Sequence, residues 1–228
     1  VDGLFGRRKA AVLAAALLAG CAAPKADPPP PAVPAVADAA RLRRETAEIL
    51  EALERSFYKH WGAVERAPEF ARLTPAHVPE LRHVAEANVE TSLMALRALD
   101  RLAPGEALGA EARAILYVGA LGREGNFTRW GVITGEGLLP GVYGHELIRL
   151  GQAAAPYLRT LLADRRRAPV FGAGSADREN ARRGDRVCDY AWVFLAAILG
   201  RPVVYEADPE RRDARIRAFD LELDRAAR

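Results

Sequence analysis

Apolar residues in this chain recur mostly at helical spacing rather than in strict alternation, and the pattern predicts an all-α fold. From about Asp38 to Lys59, Leu42, Ile49, Leu50, Leu53, Phe57 and Trp61 fall three, four or seven residues apart. Arg43, Arg44, Glu45, Glu48, Glu51 and Glu54 occupy the remaining face, and Asp38 stands where an N-cap belongs. A second stripe starts more sharply. Thr74 can accept an orphan amide bond, Pro75 fits the first helical position, and Val78, Leu81, Val84 and Ala85 follow. It runs on through Leu93, Leu96 and Leu99 to Leu102, as one long helix or as two with a bend near Asn88, before Pro104 and Gly105 stop it. A third helix is expected from about Glu106 to Leu121, with Ala112, Ile115, Leu116 and Val118 on its apolar side.

Residues 122–142 break this rhythm with repeated glycines. Their β-prone piece, Val132 to Thr134, is too short and isolated to predict a sheet. Beyond them the helical pattern returns. The stretch 143–164 reads as a helix ending near Gly151, a tight turn, and a second helix with Pro156 in its first turn. Leu147, Ile148 and Leu150 would then face Ala154, Leu158, Leu161 and Leu162. Leu150, Gly151, Ala153, Pro156, Leu158, Leu162 and Asp164 together resemble a HEAT-like repeat hairpin. That resemblance implies helical hairpins stacked in an array over about residues 143–228. A following helix carries Val187, Tyr190, Ala191, Phe194, Leu195, Ile198 and Leu199, a stripe wide enough to be buried on more than one side. The last, with Asp208 as cap and Pro209 at its first position, has only Ile216, Phe219 and Leu223 beneath many charges, which suits a terminal repeat. No regular forty-residue period runs through residues 40–140, and Arg165 to Arg183 is long for an inter-helix connection.

The N-terminus has a different organisation. Arg7, Arg8 and Lys9 precede an apolar run from Ala10 to Ala19, and the run ends in Leu18, Ala19, Gly20 and Cys21. A basic start, a short apolar stretch and small residues at a cleavage point make a secretory signal, and about ten apolar residues fall short of the ~20 that cross a bilayer. The segment LLAGC resembles the lipobox of bacterial lipoproteins. The resemblance implies cleavage before Cys21, acylation of that residue, and attachment to the cell envelope through lipid. Ala22, rather than Asp, follows the cysteine, which in that family leans toward the outer membrane. Residues 21–38, with four consecutive prolines at Pro28 to Pro31, read as a tether. Residues 39–228 are then expected to form a single helical domain.

Formal charge is +3, of which residues 1–20 carry +2 (Arg7, Arg8 and Lys9 against Asp2), so the remainder is +1. That near-neutral balance gives no support to nucleic acid as a partner. One region is locally basic: eight arginines lie between Arg159 and Arg186 against Asp164, Asp177, Glu179 and Asp185. It is either a solvated charged loop or a contact for anionic lipid, polysaccharide or an acidic partner. Arg165, Arg166, Arg167, Arg182 and Arg183 are its candidate binding residues. Phe127, Arg129 and Trp130 are the others, because the glycine-rich segment carries large side chains of the kind that dominate interfaces. The alternative is that this segment folds back, with Phe127 and Trp130 plugging the core.

Candidate chemistry is sparse. His145 and Glu146 begin HELIR, but Arg149 stands where a zinc-peptidase motif places a second imidazole, and His60, His77 and His83 are scattered, so no metal or other cofactor is predicted. Cys188 could serve as a nucleophile if His145 lay beside it and Asp185 or Asp189 oriented that histidine; on an apolar helix it is equally a core residue. No phosphate-binding loop is present, since Gly131, Gly135, Gly137 and Gly141 lack the following lysine and hydroxyl. The expected function is therefore non-catalytic: a lipid-anchored envelope protein that binds or scaffolds another protein or an anionic envelope polymer. The alternative is an envelope hydrolase acting on glycan, lipid or peptide through Glu124, Glu136, Glu146 or Cys188.

Overall fold

The computed structural model describes residues 36–57, 63–87, 90–124, 127–135, 137–168 and 182–226. Residue contacts divide the chain after Pro34, and Ala35–Arg228 form one unit. The signal, Cys21 and most of the proposed tether lie outside the described residues, as do Lys59, His60, Trp61 and Glu136.

The fold is mostly helical. Helix α1 (Val36–Ser56) follows its predicted stripe, burying Leu42, Ile49, Leu50 and Leu53. Short 3-10 turns at Val64–Arg66, Pro68–Arg72 and Pro75–His77 lead into α2 (Val78–Glu86). At that entry the Thr74 amide donates to His77 Nδ1 at 3.0 Å, so a side chain satisfies a helix-start amide. Helix α3 (Ser92–Leu102) is separate from α2 and packs against it. Of the two readings left open, two helices are observed, and the Ser92 hydroxyl at the start of α3 donates to the Val84 carbonyl of α2 at 2.8 Å. Helix α4 is Ala110–Glu124. It buries Leu116 and Val118 as expected and also turns Ala114, Tyr117, Ala120 and Leu121 inward, while Ala112 and Ile115 of the expected face are exposed.

A short helix α5 (Phe127–Trp130) then leads into β1 (Gly131–Thr134) and β2 (Gly137–Pro140). These strands pair antiparallel with Val132 opposite Leu139 and Ile133 opposite Leu138, so the glycine-rich segment does contain a small sheet. Glycine makes it possible at Gly131, where φ is +126° and a Cβ would stand 2.3 Å from the Leu139 carbonyl oxygen. Ile133 is fully buried, which fixes the register because a one-residue slip would expose it.

Helix α6 (Val142–Leu150) ends at Gly151 with φ +56°, and α7 (Ala155–Thr160) carries Pro156 in its first turn. Helix α8 (Val187–Ile198) is buried from Val187 through Ala196 and packs against α6, α7 and β2. A helix apolar on nearly every side belongs at the centre of a domain. Helix α9 (Pro209–Ala226) closes the chain. Its start is capped by Asp208, whose side chain accepts the Glu210 amide at 2.9 Å, and it buries Arg212, Ile216 and Phe219.

The closest approach in this core is at Gly144 on α6. A Cβ there would lie 2.1 Å from the Trp130 carbonyl oxygen and 3.1 Å from the Phe194 ring. Backbone and aromatic ring cannot both yield, so Gly144→Ala should lower stability by about 3 kcal/mol, the upper end of overpacking effects, as measured by urea unfolding. A change below ~0.5 kcal/mol would show that α6 is not seated against α5 and α8 in this way.

Candidate binding cleft

The glycine-rich segment plugs the core. Trp130 is fully buried, its ring edge-on to Tyr143 (centroids 5.6 Å apart) and to Tyr117 and Phe194 (both 6.3 Å). Arg129 is also buried, ion-paired with Glu54 of α1, its guanidinium 4.4 Å from the centre of the Phe57 ring and 5.8 Å from that of Tyr143. Neither residue offers a face to a partner in this conformation, so the surface role expected for Arg129 and Trp130 gives way to packing. The side chains of Phe127 and Glu124 lie outside the described residues.

The basic stretch is largely consumed by internal pairing. Arg165 donates to the Leu162 carbonyl at 2.9 Å and lies 3.3 Å from Asp213. Arg166 bonds Asp164 and the Gly122 carbonyl, Arg183 bonds Asp185 at 2.8 Å, and Arg186 bridges Asp189 and Asp213. Arg167 pairs through its backbone with Arg186, and its side chain, like that of Arg182, is exposed. Beneath them Arg212 has no exposed surface. It donates to the carbonyls of Glu206, Ala207 and Arg183, and its Nε lies 3.3 Å from Asp189. This network joins the 164–168 segment to the starts of α8 and α9.

Cys188 adjoins this network. Its sulfur faces Asp189 at 3.8 Å, and burial, reinforced by the Asp189 charge, pushes the thiol pKa up. An activated cysteine needs the opposite shift. Asp185 accepts the Tyr205 hydroxyl at 2.6 Å and Asp189 accepts the Arg186 amide at 2.9 Å, so both carboxylates serve the fold. His145 is exposed on α6. Among the described residues no three His, Cys, Asp or Glu side chains gather as metal ligands.

A half-open cavity of about 180 Å³ lies elsewhere, lined by Val64, Arg97, Asp100, Arg101, Tyr117, Glu146 and Arg149. Three helices build it. Arg97, Asp100 and Arg101 form one polar edge of α3 beside its buried leucines; Tyr117 comes from α4; Glu146 and Arg149 come from the second turn of α6. Its ions are held before any ligand arrives. Asp100 pairs with Arg113, whose Nε also donates to the Leu108 carbonyl at 2.9 Å. Glu146 Oε2 accepts two bonds from Arg149, at 2.6 and 2.9 Å, and this raises the Arg149 pKa. Arg101 lies 3.5 Å from Glu65.

Tyr117 is the distinctive residue of the cleft. Its ring packs edge-on against Trp130 and Tyr143, 6.3 and 6.0 Å away, and only 1 % of the residue is exposed. It is one of the residues that line the cavity. Burial raises its pKa, with Arg97 opposing, so it remains a donor at neutral pH. Of this site the sequence singled out only Glu146, as a candidate hydrolase residue, and Arg149, for standing where a second imidazole would be needed. Tyr117 sits within the apolar side of α4, and nothing in the spacing marks its hydroxyl as different from a core tyrosine's.

In comparisons with known proteins, no family model, no curated protein and no solved structure matches this chain.

The pairing at Asp164 has a pH signature. Hydrogen bonding from the Arg166 side chain holds the Asp164 carboxyl below its ordinary value, against a smaller opposing effect of burial. A depressed carboxyl stabilises the fold above the unfolded-state value, about 3.9 for aspartate, and loses that contribution as pH falls through its folded value. Arg166 is exposed, so screening limits the effect. Asp164→Asn should cost about 1 kcal/mol at pH 7 in urea unfolding, with the gap to wild type narrowing below about pH 4. A gap independent of pH would remove the ionic contribution.

Proposed function

We propose that this is a lipid-anchored binding protein of a bacterial cell envelope, held through Cys21 at the outer membrane, that engages an envelope protein or anionic polymer with the cleft between α3, α4 and α6. The observation that carries the reading is the cleft itself: charged groups fixed by mutual pairing on rigid helices, with Tyr117 among the lining residues. Pre-set polar groups on rigid walls lower the ordering cost of binding. The LLAGC segment supports the anchor, and residues 21–38 would hold the domain clear of the membrane surface. No described helix is long and apolar enough to cross a membrane. Helices α6 and α7, with α8 packed on both, support the HEAT-like reading of the C-terminal half, in which α9 acts as the polar terminal cover.

An envelope hydrolase is the competing reading, and the position of Glu146 beside Tyr117 in the cleft is the observation that favours it. Against it, the Glu146 carboxylate is held by Arg149 in two hydrogen bonds.

Photocrosslinking in intact envelopes tests the proposal. A benzophenone side chain replacing Arg101 or Arg149, both exposed at the cleft rim, should capture a discrete envelope component; one replacing Arg211, exposed on α9, should not. Cys21→Ser should release the protein from membranes. Absence of capture at both rim positions, or equal capture at all three, would contradict the site, and unchanged membrane partition of Cys21→Ser would contradict the anchor.

A further inference from the structure

We infer that the outward face of α9 pairs with the same face of a second copy of this chain, the two helices running antiparallel about a two-fold axis at the level of Ala218 and Phe219. This face shares no residue with the cleft, and the pairing does not depend on the cleft being a binding site. Helix α9 buries Arg212, Ile216 and Phe219 on one side. On the other, Ala214, Ala218 and Leu221, four and three residues apart, form a ridge, and all three are exposed. Four large hydrophobic side chains are exposed among the described residues, and two of them stand here: Leu221 (57 %) on the ridge and Val204 (59 %) beside it. Val204 lines a half-open groove of about 360 Å³ together with Trp192, Pro202, Ala218 and Phe219. An apolar ridge bordered by such a groove is surface that folding of the single chain leaves uncovered.

Size and charge order select the partner. Ala214 and Ala218 leave a shallow hollow one helical turn long, and Leu221 is a knob just beyond it. Turned end over end about the axis, each Leu221 meets the hollow between Ala214 and Ala218 of the other copy, so one helix supplies both halves of the fit. The charges along the two edges of the ridge follow the same axis. Arg215 and Arg217 precede it, and Asp220 and Glu222 follow it. Antiparallel pairing sets Arg215 against Glu222 of the other copy on one edge and Arg217 against Asp220 on the other. Parallel pairing would set Arg215 against Arg217 and Asp220 against Glu222, which disfavours it. Within the single chain Glu222 is already held by Arg201 at 2.9 Å, Asp220 by Arg159 at 2.6 Å, and Arg215 lies 3.5 Å from Glu206. The cross-pairs therefore extend existing networks: they set orientation, while the ridge supplies the attraction.

The test is sedimentation equilibrium of the full chain in density-matched detergent, on wild type, Leu221→Lys, Arg215→Glu, Glu222→Arg and an equal mixture of the last two. Wild type is expected to be dimeric at about 100 µM and to dissociate on dilution. Leu221→Lys should raise the dissociation constant about 100-fold, because each dimer loses two buried leucines, with an unchanged urea unfolding midpoint. Arg215→Glu and Glu222→Arg should each weaken self-association about tenfold. Their mixture should recover a mixed pair close to wild-type strength, because both of its Arg–Glu contacts are again of opposite sign. A monomer at every concentration up to about 100 µM, a dimer indifferent to Leu221→Lys, or a mixture no stronger than its components would overturn the inference. In intact envelopes a benzophenone side chain replacing Arg211 should join the chain to itself, and Leu221→Lys should abolish that adduct; capture of a different protein there would overturn the inference. Because the self-adduct has twice the mass of the chain, it is distinguished from capture of another component at Arg101 or Arg149, and loss of either result leaves the other standing.

Discussion

A cation placed inside the aromatic core constrains the rest of this fold. Arg129 is buried, and an isolated buried guanidinium would be strongly unfavourable. Its position therefore requires Glu54, which commits the C-terminal part of α1 to α5, and it uses the faces of Phe57 and Tyr143 as further electrostatic support. Tyr143 in turn packs against Trp130 and Tyr117, so α1, α4, α5 and α6 meet at one cluster. Gly144, the next residue on α6, provides the clearance that lets the Trp130 carbonyl and the Phe194 ring close on that helix. The ring of Tyr117 is thereby held against Trp130 and Tyr143 where it lines the cleft.

The same logic governs the second charged region. Arg212 is wholly buried, yet carbonyls and Asp189 surround it, and Asp189 also caps the start of α8 through the Arg186 amide. A buried pair of this kind contributes little net stability compared with well-packed apolar residues, but loss of one partner costs about 3–5 kcal/mol, so it specifies one arrangement of α8, α9 and the 164–168 segment. Arginines that form a basic cluster along the sequence are thus mostly neutralised in space.

Much of the helical layout was legible because it is local. The stripes of α1, α8 and α9, the Asp208 cap, and the Gly151 and Pro156 pair that turns α6 into α7 all follow from spacing and backbone preference within a few residues. Residues whose environment is set by distant chain were not legible. Ile115 carries a core side chain at an exposed position because α4 is rotated to place Tyr117 and Ala114 inward. The hairpin β1–β2 escaped because its strands have four residues each in a glycine-rich stretch, where a period of two has no room to show. Trp130 and Arg129 look like interface residues by type. What makes them core is Glu54, Phe57 and Tyr143, none of them near in sequence. The cleft was missed for the same reason: α3 and α6 each contribute charged residues that read alone as solvated surface, and Tyr117 reads as a core residue of α4.

The most direct measurement of this account is a double-mutant cycle between Glu54 and Arg129, with unfolding free energies in urea for Glu54→Gln, Arg129→Met and the pair. If the buried cation organises the core, each single change costs about 3–5 kcal/mol and the double costs no more than the larger single, because a buried charge without its partner is worse than neither. Losses that simply add would mean that the two side chains act independently, and the core would not depend on their pairing.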